Sequence, residues 1–298
     1  MELNKNLDYA IMVDETSKIY GLKSGYRIKE NLYGNYIDNE SWKIFVADME
    51  KNYTVAFDMY SDGGGKELEE RKVGRNIYPP KMASFGSSSR MIFNLMKDTE
   101  GFLFEKKLPT TVGGVANLDG FMEHDDKYIF VEAKCREPYS TKNNIYERKY
   151  EALYNFLTEA KNTDIRCDIE IIDNQKMKVT FKIGDREIHN FDMKQMISHL
   201  LGVATAFLNG NLEVKFIDFV YLLFNPLKLD FSDKKAKQKI YDIYNNTCDE
   251  CTATDFKELF GAIVDFLTVL KKWEINVDTK ELKENFRFRL CSQDDIIC

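Results

Sequence analysis

The sequence is poor in the residues that mark secreted, disordered or membrane-spanning chains. Six cysteines in 298 residues are too sparse for a disulfide scaffold. Only Cys248 and Cys251 stand in CxxC spacing, and a zinc site would need two more ligands; Cys291 and Cys298 lie far off, so the pair reads as part of an acidic loop linking two helices. Cys135 and Cys167 read as buried thiols or neutral surface positions. With only five prolines and no low-complexity tract, the chain does not read as a linker or tail. Long apolar runs are missing too. FIDFVYLLF near 216–224 and FGAIVDFLTVL near 260–270 fall well short of a bilayer span, and Asp265 interrupts the second. The opening residues MELNKNLDYAIMVDE carry acids where an export signal would carry a basic flank and an apolar stretch, so the expectation is a cytoplasmic protein with no membrane partner.

Positive charge is in deficit as well. A net charge of −7 argues against coating nucleic acid by bulk electrostatics. A local basic cleft is still open to the chain: residues 66–90 hold Lys66, Arg71, Lys72, Arg75, Lys81 and Arg90 against Glu67, Glu69 and Glu70, although a solvated helix face explains the same run.

What is present is a globular composition, 44% hydrophobic and 13% aromatic, long enough for one decorated domain or two small ones. NESWKIFVADMEKN at 39–52 resembles a helix starting on Asn39 or Ser41. The glycines of SDGGGKELEE at 61–70 lack Walker spacing and read as a flexible loop before a helix, followed by a turn at Pro79-Pro80. Serines 87 to 89 cap a helix running to about Asp98, where Met91, Ile92, Leu95 and Met96 recur at helical spacing. The period then changes to two, and 102–108, 114–123 and 127–135 read as three successive strands. A helix near 144–161, a hairpin from 165–172 and 178–183, a strong helix over 193–208 and a buried strand over 214–224 follow. The remainder reads as mostly helical, with a late strand at FRFRL. The expected class is α/β, a mixed sheet flanked by helices. Its parts are an N-terminal extension (1–86), a core (87–226) carrying a β-hairpin insertion at about 140–190, and a helical C-terminal extension (227–298).

The chemistry concentrates in the second and third strands. A tight hairpin closed at the polar turn HDDK sets Asp119 opposite Glu132, and alternation puts Lys134 on the same face as Glu132. Two carboxylates about 5 Å apart repel by roughly 3 kcal/mol at an effective dielectric of about 20, which a cation or a shared proton must offset. Mg²⁺ takes such hard oxygen ligands and fills its remaining positions with water. A lysine beside it can orient an attacking water and stabilise charge developing on phosphorus.

LDG at 118–120 followed by VEAK at 131–134 resembles the motif of the PD-(D/E)XK nuclease superfamily, the restriction-endonuclease-like fold. The element order of residues 87–224, about half the chain, is similar to that family's core if 140–190 is an insertion. The proline that often precedes the aspartate is Leu118 here. The resemblance implies a nuclease acting on DNA with Mg²⁺ or Mn²⁺. Asp119, Glu132 and the Ala133 carbonyl would be metal ligands, and Lys134 the catalytic lysine. The family often places a glutamate on the first core helix; SSSRMIFNLMKD has none, and Glu67 or Glu105 would have to substitute. Some branches support the site with a glutamine at the position of Gln195, although Asp192 and Gln195 also read as a capping pair. His199, one turn on, reads as a core histidine. Arg136, Lys142, Arg148, Lys149 and Arg90 are candidate phosphate contacts, although isolated charges of this kind are more often solvated. Nucleases of this kind often cut two strands as dimers, so a homodimer is compatible with the resemblance. Two rival readings stand beside it: a catalytically silent module of the same fold that binds nucleic acid or a protein, and an interaction protein whose acidic surface binds a partner.

Overall fold

The computed structural model describes residues 11–19, 21, 24–31, 34–63, 67–135, 137–139, 144–270 and 277–295. Helical backbone over 11–19 (α1) is followed by a hairpin of β1 (Ile28–Asn31) and β2 (Gly34–Ile37), then α2 (Asn39–Asn52) and α3 (Thr54–Ser61). Asp38 caps α2 by accepting from Ser41 N. A second hairpin, β3 (Arg71–Val73) and β4 (Asn76–Tyr78), leads to α4 (Ser88–Met96), capped by Ser87, whose side chain accepts from Arg90 N.

The core is a five-stranded mixed sheet. β5 (Leu103–Pro109), β6 (Val115–Glu123) and β7 (Lys127–Lys134) form an antiparallel meander. After β7 come β8 (Ile145–Glu147), α5 (Glu151–Glu159), β9 (Ile165–Ile171), β10 (Lys176–Ile183) and β11 (Arg186–Glu187), whose strands make a separate four-stranded sheet. Then α6 (Met193–Leu208) returns the chain to β12 (Phe216–Leu223), which lies parallel to β7. Helices α7 (Lys234–Glu250), α8 (Ala253–Leu270) and α9 (Thr279–Glu284) precede β13 (Phe286–Ser292), which adds to the sheet parallel to β12.

Helices cover both faces, as a parallel pair in mid-sheet demands. On one face α4 packs over β6 and β7, and α2 and α3 extend that core through Phe45, Met49 and Tyr60. On the other, α6 lies between the sheet and α8; it is apolar nearly all round, the pattern of a helix buried on every side. Gly202 sets how close α6 can come, since a Cβ there would stand 2.7 Å from Ala116 Cβ. No helix among the described residues is long and apolar enough to cross a membrane.

Several expectations need correction. Of the expected 144–161 helix, Arg148–Tyr150 is a 3-10 turn and Glu151–Glu159 is α-helix, while Ile145–Glu147 is strand β8, held by β10. The insertion is thus more than a hairpin. Of the 61–70 stretch, Ser61 ends α3 and residues 64–66 lie outside the described residues; the chain bends through 67–69 into the β3–β4 hairpin rather than opening a helix. The late strand expected at FRFRL is β13, and it forms an edge strand of the central sheet. Cys248 lies inside α7 with Cys251 at its C-terminal cap, and Cys135 and Cys167 are buried thiols.

Candidate active site

The hairpin register is the expected one: Gly120 pairs with Val131, Phe121 with Phe130 and Met122 with Ile129. Continued by one step it sets Asp119 beside Glu132, but the ladder stops at Gly120. There the Asp119 carboxyl takes over, and Ala133 N donates to Asp119 Oδ2 at 2.7 Å. On the other side of β6, the β5 ladder runs through Phe104↔Gly120 and Lys106↔Leu118 and omits the intervening pair, Glu105 and Asp119. Glu105 has a left-handed φ of 52°, which costs a non-glycine residue about 1–2 kcal/mol. The pleat turns over at this row. Phe104 packs into the α4-side core and Leu108 into the α6-side core, although their even spacing on one strand predicts a shared face. Glu105, Asp119 and Glu132 therefore lie in one row across three neighbouring strands, at a break in the sheet's regular hydrogen bonding.

Glu132 and Lys134 keep the alternation of β7 and face α6. Lys134 Nζ donates to Glu132 Oε1 at 2.5 Å and also to Gln195 Oε1. His199 Nδ1 lies 3.1 Å from Glu132 Oε2, a close contact off the hydrogen-bonding direction for both atoms. Glu132 is fully buried. Burial alone would raise its pKa, yet the His199 imidazole and the Lys134 ammonium outweigh it and hold the carboxyl down at about 2. Gln195 also fills its capping role, with Gln195 N donating to Asp192 Oδ1 at 3.2 Å, but its amide reaches Lys134 rather than closing a reciprocal box.

The other two acids of the row are shifted the opposite way. Desolvation, then repulsion from Glu132, pushes the Asp119 carboxyl well above the usual carboxylate range despite Lys134 and the Ala133 N–H. Desolvation, then repulsion from Glu67, raises Glu105 to about 7. Glu67 is buried, paired with Lys81 at 2.7 Å and accepting from Ser89 Oγ at 3.0 Å. Four carboxylates thus share Lys81 and Lys134 as their close lysine partners.

A cavity of about 340 Å³ opens over this cluster, and Glu67, Glu105, Asp119, Lys134 and Gln195 all line it. Glu132 sits behind Lys134, out of the lining. The opposite wall holds Arg71 and Lys81 of the 66–90 basic run and Ser87–Ser89 at the start of α4, together with Tyr36, Ser84 and Gly86, which the sequence offered no reason to select. The serine run was legible as a helix cap; that its helix N-terminus, a favourable place for an anion, faces the acids is not a local property of the chain. The N-terminal extension supplies much of this wall and so carries more of the site than its sequence suggests. Arg90 is not placed to contact a phosphate. It is 2% exposed, its guanidinium donates to Met82 O at 3.2 Å, and it stacks over Phe85 and Phe45. Arg136 and Lys142 lie outside the described residues.

Among the described residues no three Asp, Glu, His or Cys side chains converge into a ready metal cluster. The donor chemistry nevertheless fits a hard divalent cation. Asp119 and Glu105, adjacent on neighbouring strands and raised in part by nearby acids, stand among more negative charge than Lys134, Lys81 and Lys107 offset, and Mg²⁺ commonly binds through one or two carboxylates with water completing its shell. Comparison of the chain with protein-family models, curated proteins and solved structures gives no match.

Proposed function

We propose that the chain is a metal-dependent nuclease of the PD-(D/E)XK kind with a restriction-endonuclease-like core, a cytoplasmic enzyme that hydrolyses phosphodiester bonds of DNA. The observation that carries this reading is the acid row, uncompensated at Asp119 and Glu105, with a buried lysine beside it and a polar cavity above. The order helix, antiparallel meander, helix, parallel strand (α4, β5–β7, α6, β12) supports the resemblance drawn from LDG and VEAK.

Asp119, Glu132 and the Ala133 carbonyl would hold Mg²⁺ or Mn²⁺, with Glu105 as a further oxygen donor across the row. Bound there, such an ion supplies Lewis-acid polarisation of a phosphoryl oxygen and a more acidic water. The chain's own groups do the rest. Lys134, fixed by Glu132 and Gln195, presents a positive charge where negative charge develops on phosphorus. Gln195 holds the ammonium in place while its backbone is fixed by Asp192. Arg71 and Lys81, with the N-terminus of α4, offer donors for the flanking phosphates. Lys134 engages Oε1 of Glu132 and His199 lies against Oε2, so freeing Oε1 for a cation requires a shift of the lysine and freeing Oε2 a shift of the imidazole.

The test is cleavage of a mixed DNA and RNA panel with Mg²⁺, Mn²⁺ or Ca²⁺, beside calorimetric Mn²⁺ binding. The proposal expects cutting with the first two ions and binding without turnover for Ca²⁺. A protein that binds no Mn²⁺ and cuts nothing would instead be the catalytically silent relative.

A further inference from the structure

A second cavity, of about 350 Å³, adjoins the first and shares Asn117 and Gln195 with it. Its far wall belongs to the insertion, through Lys149 and Tyr150, and its near wall to α6, through Lys194 and His199. His199 at its back is the residue that contacts Glu132, so the cavity runs directly from the reacting centre. Its volume falls in the range of small-ligand sites, about 300–1,000 Å³.

The chemistry of the walls is specific. Tyr150 stacks one ring face on Tyr154 with centroids 5.9 Å apart and planes at 20°, and its hydroxyl lies 3.3 Å from Ser198 Oγ. The ring is thus held by Tyr154 and at its tip by Ser198, lies under the Lys149 ammonium, and is part of the cavity lining. Lys149 Nζ lies 5.5 Å from the centre of that ring and pairs with Glu147 at 2.8 Å; Lys194 Nζ lies 5.5 Å from the centre of the Tyr146 ring. The acids of the lining are already engaged, Glu147 by Lys149 and Asp192 by the Gln195 N–H, and a fixed aromatic ring, two lysines and amide groups are the parts with which proteins hold a nucleotide outside a helix: the base stacks and the phosphate meets the ammonium groups. A base inside a duplex can reach such a pocket only by leaving its stack.

We propose that this cavity is a nucleotide subsite for single-stranded nucleic acid, with the base adjoining the reacting phosphate seated on Tyr150. The inference rests on the nuclease reading only in taking nucleic acid as the ligand. The insertion is then the device that selects unpaired strands over duplex.

The experiment is binding of a short labelled single strand, of the matching duplex and of a free mononucleotide competitor, to the full chain in EDTA, where no cutting occurs. Tyr150→Leu keeps apolar packing on Tyr154 but removes the stacking face, and should weaken single-strand binding by about tenfold, the effect of about 1.4 kcal/mol of lost stacking. Tyr150→Phe keeps the face and should bind within about twofold of wild type. Duplex affinity should not respond to either change. Unchanged single-strand affinity in Tyr150→Leu would overturn the subsite. So would an equal loss in Tyr150→Phe, which would mark the Ser198 contact as structural, or a mononucleotide that competes as well as the strand. The two readings fail separately. A wild type that binds strands through Tyr150 yet cuts none with Mn²⁺ keeps the subsite and loses the nuclease. One that cuts while Tyr150→Leu binds and cuts equally keeps the nuclease and loses the subsite.

Discussion

The central sheet buries acids in two places and treats them differently. On β12, Asp218 is wholly enclosed, and Arg287 meets it with two nitrogens, at 2.5 and 2.7 Å, while Arg289 lies 3.3 Å away. Each oxygen has a charged partner from the adjacent parallel strand, in regular register. On β5–β7, three carboxylates and the neighbouring Glu67 share two lysines, the ladder is interrupted, and one residue is held at a left-handed φ. The first arrangement is what a sheet needs to bury a charge. The second leaves charge unbalanced at a cavity, at a cost in stability that a bound cation would offset, and such sites are where function concentrates.

The contrast is broken most severely by removing the lysine. Lys134→Ala should lower kcat by about 10²–10³, the loss seen when one oriented stabiliser of developing charge is deleted, while calorimetric Mn²⁺ binding persists because the carboxylates remain. Full activity in that variant would refute the role given to Lys134.

The two acid sites should next show opposite signs in stability. Asp218→Ala strands two arginines and should cost about 2–3 kcal/mol by denaturant melting, less than the roughly 3–5 of a wholly buried pair because Arg287 keeps half its side chain exposed. Activity should be unaffected. Glu105→Gln should instead stabilise the metal-free protein, by about 1–2 kcal/mol, and only on the alkaline side. The sign follows from protonation. With a folded pKa of about 7 against an ordinary 4.5, the folded state holds its proton longer than the unfolded chain. Stability is therefore lost as pH rises from about 4.5 through about 7, and the glutamine variant should escape that loss. Glu132, held down at about 2, works in the reverse sense: its contribution is present above the ordinary carboxylate pKa of 4.5 and disappears as pH falls toward about 2. Equal melting of wild type and Glu105→Gln at pH 5 and pH 8 would remove the basis for an uncompensated acid row.

A destabilisation of about 1–3 kcal/mol is expected for Gly202→Ala, whose new methyl group would push α6 off β6. Because Gln195 and His199 ride on α6, this variant should also lower activity, which a stability change alone at a working temperature well below melting would not do.

Much of this was legible in the sequence where the information is local. The limits of α6, the serine cap of α4 and the β6–β7 register follow from period, cap chemistry and a tight turn, and that register brought Asp119 near Glu132 before any coordinates. What stayed hidden is set by distant segments. The pleat reverses at Glu105 and Asp119 because two strands turn over together, and alternation read along either one alone predicts the opposite. Residues 145–147 became a strand because β10 offers an edge, overriding their helical signal. Tyr36, Arg71 and Ser84 reach the cavity through packing of the N-terminal extension, and Arg90, counted with the surface charges, is buried by the aromatic rings around it.

The central claim is that the raised acids Asp119 and Glu105 would exchange protons for a cation, and proton-linked metal binding tests it most directly. Chelator-treated protein should be titrated with Mn²⁺ at pH 6.5 and pH 8 in two buffers of different ionisation enthalpy. The account predicts binding with proton release at pH 6.5, less release at pH 8, and weakened binding in Asp119→Asn and Glu105→Gln. Absence of binding at both pH values, or binding that releases no protons and ignores both substitutions, would contradict it.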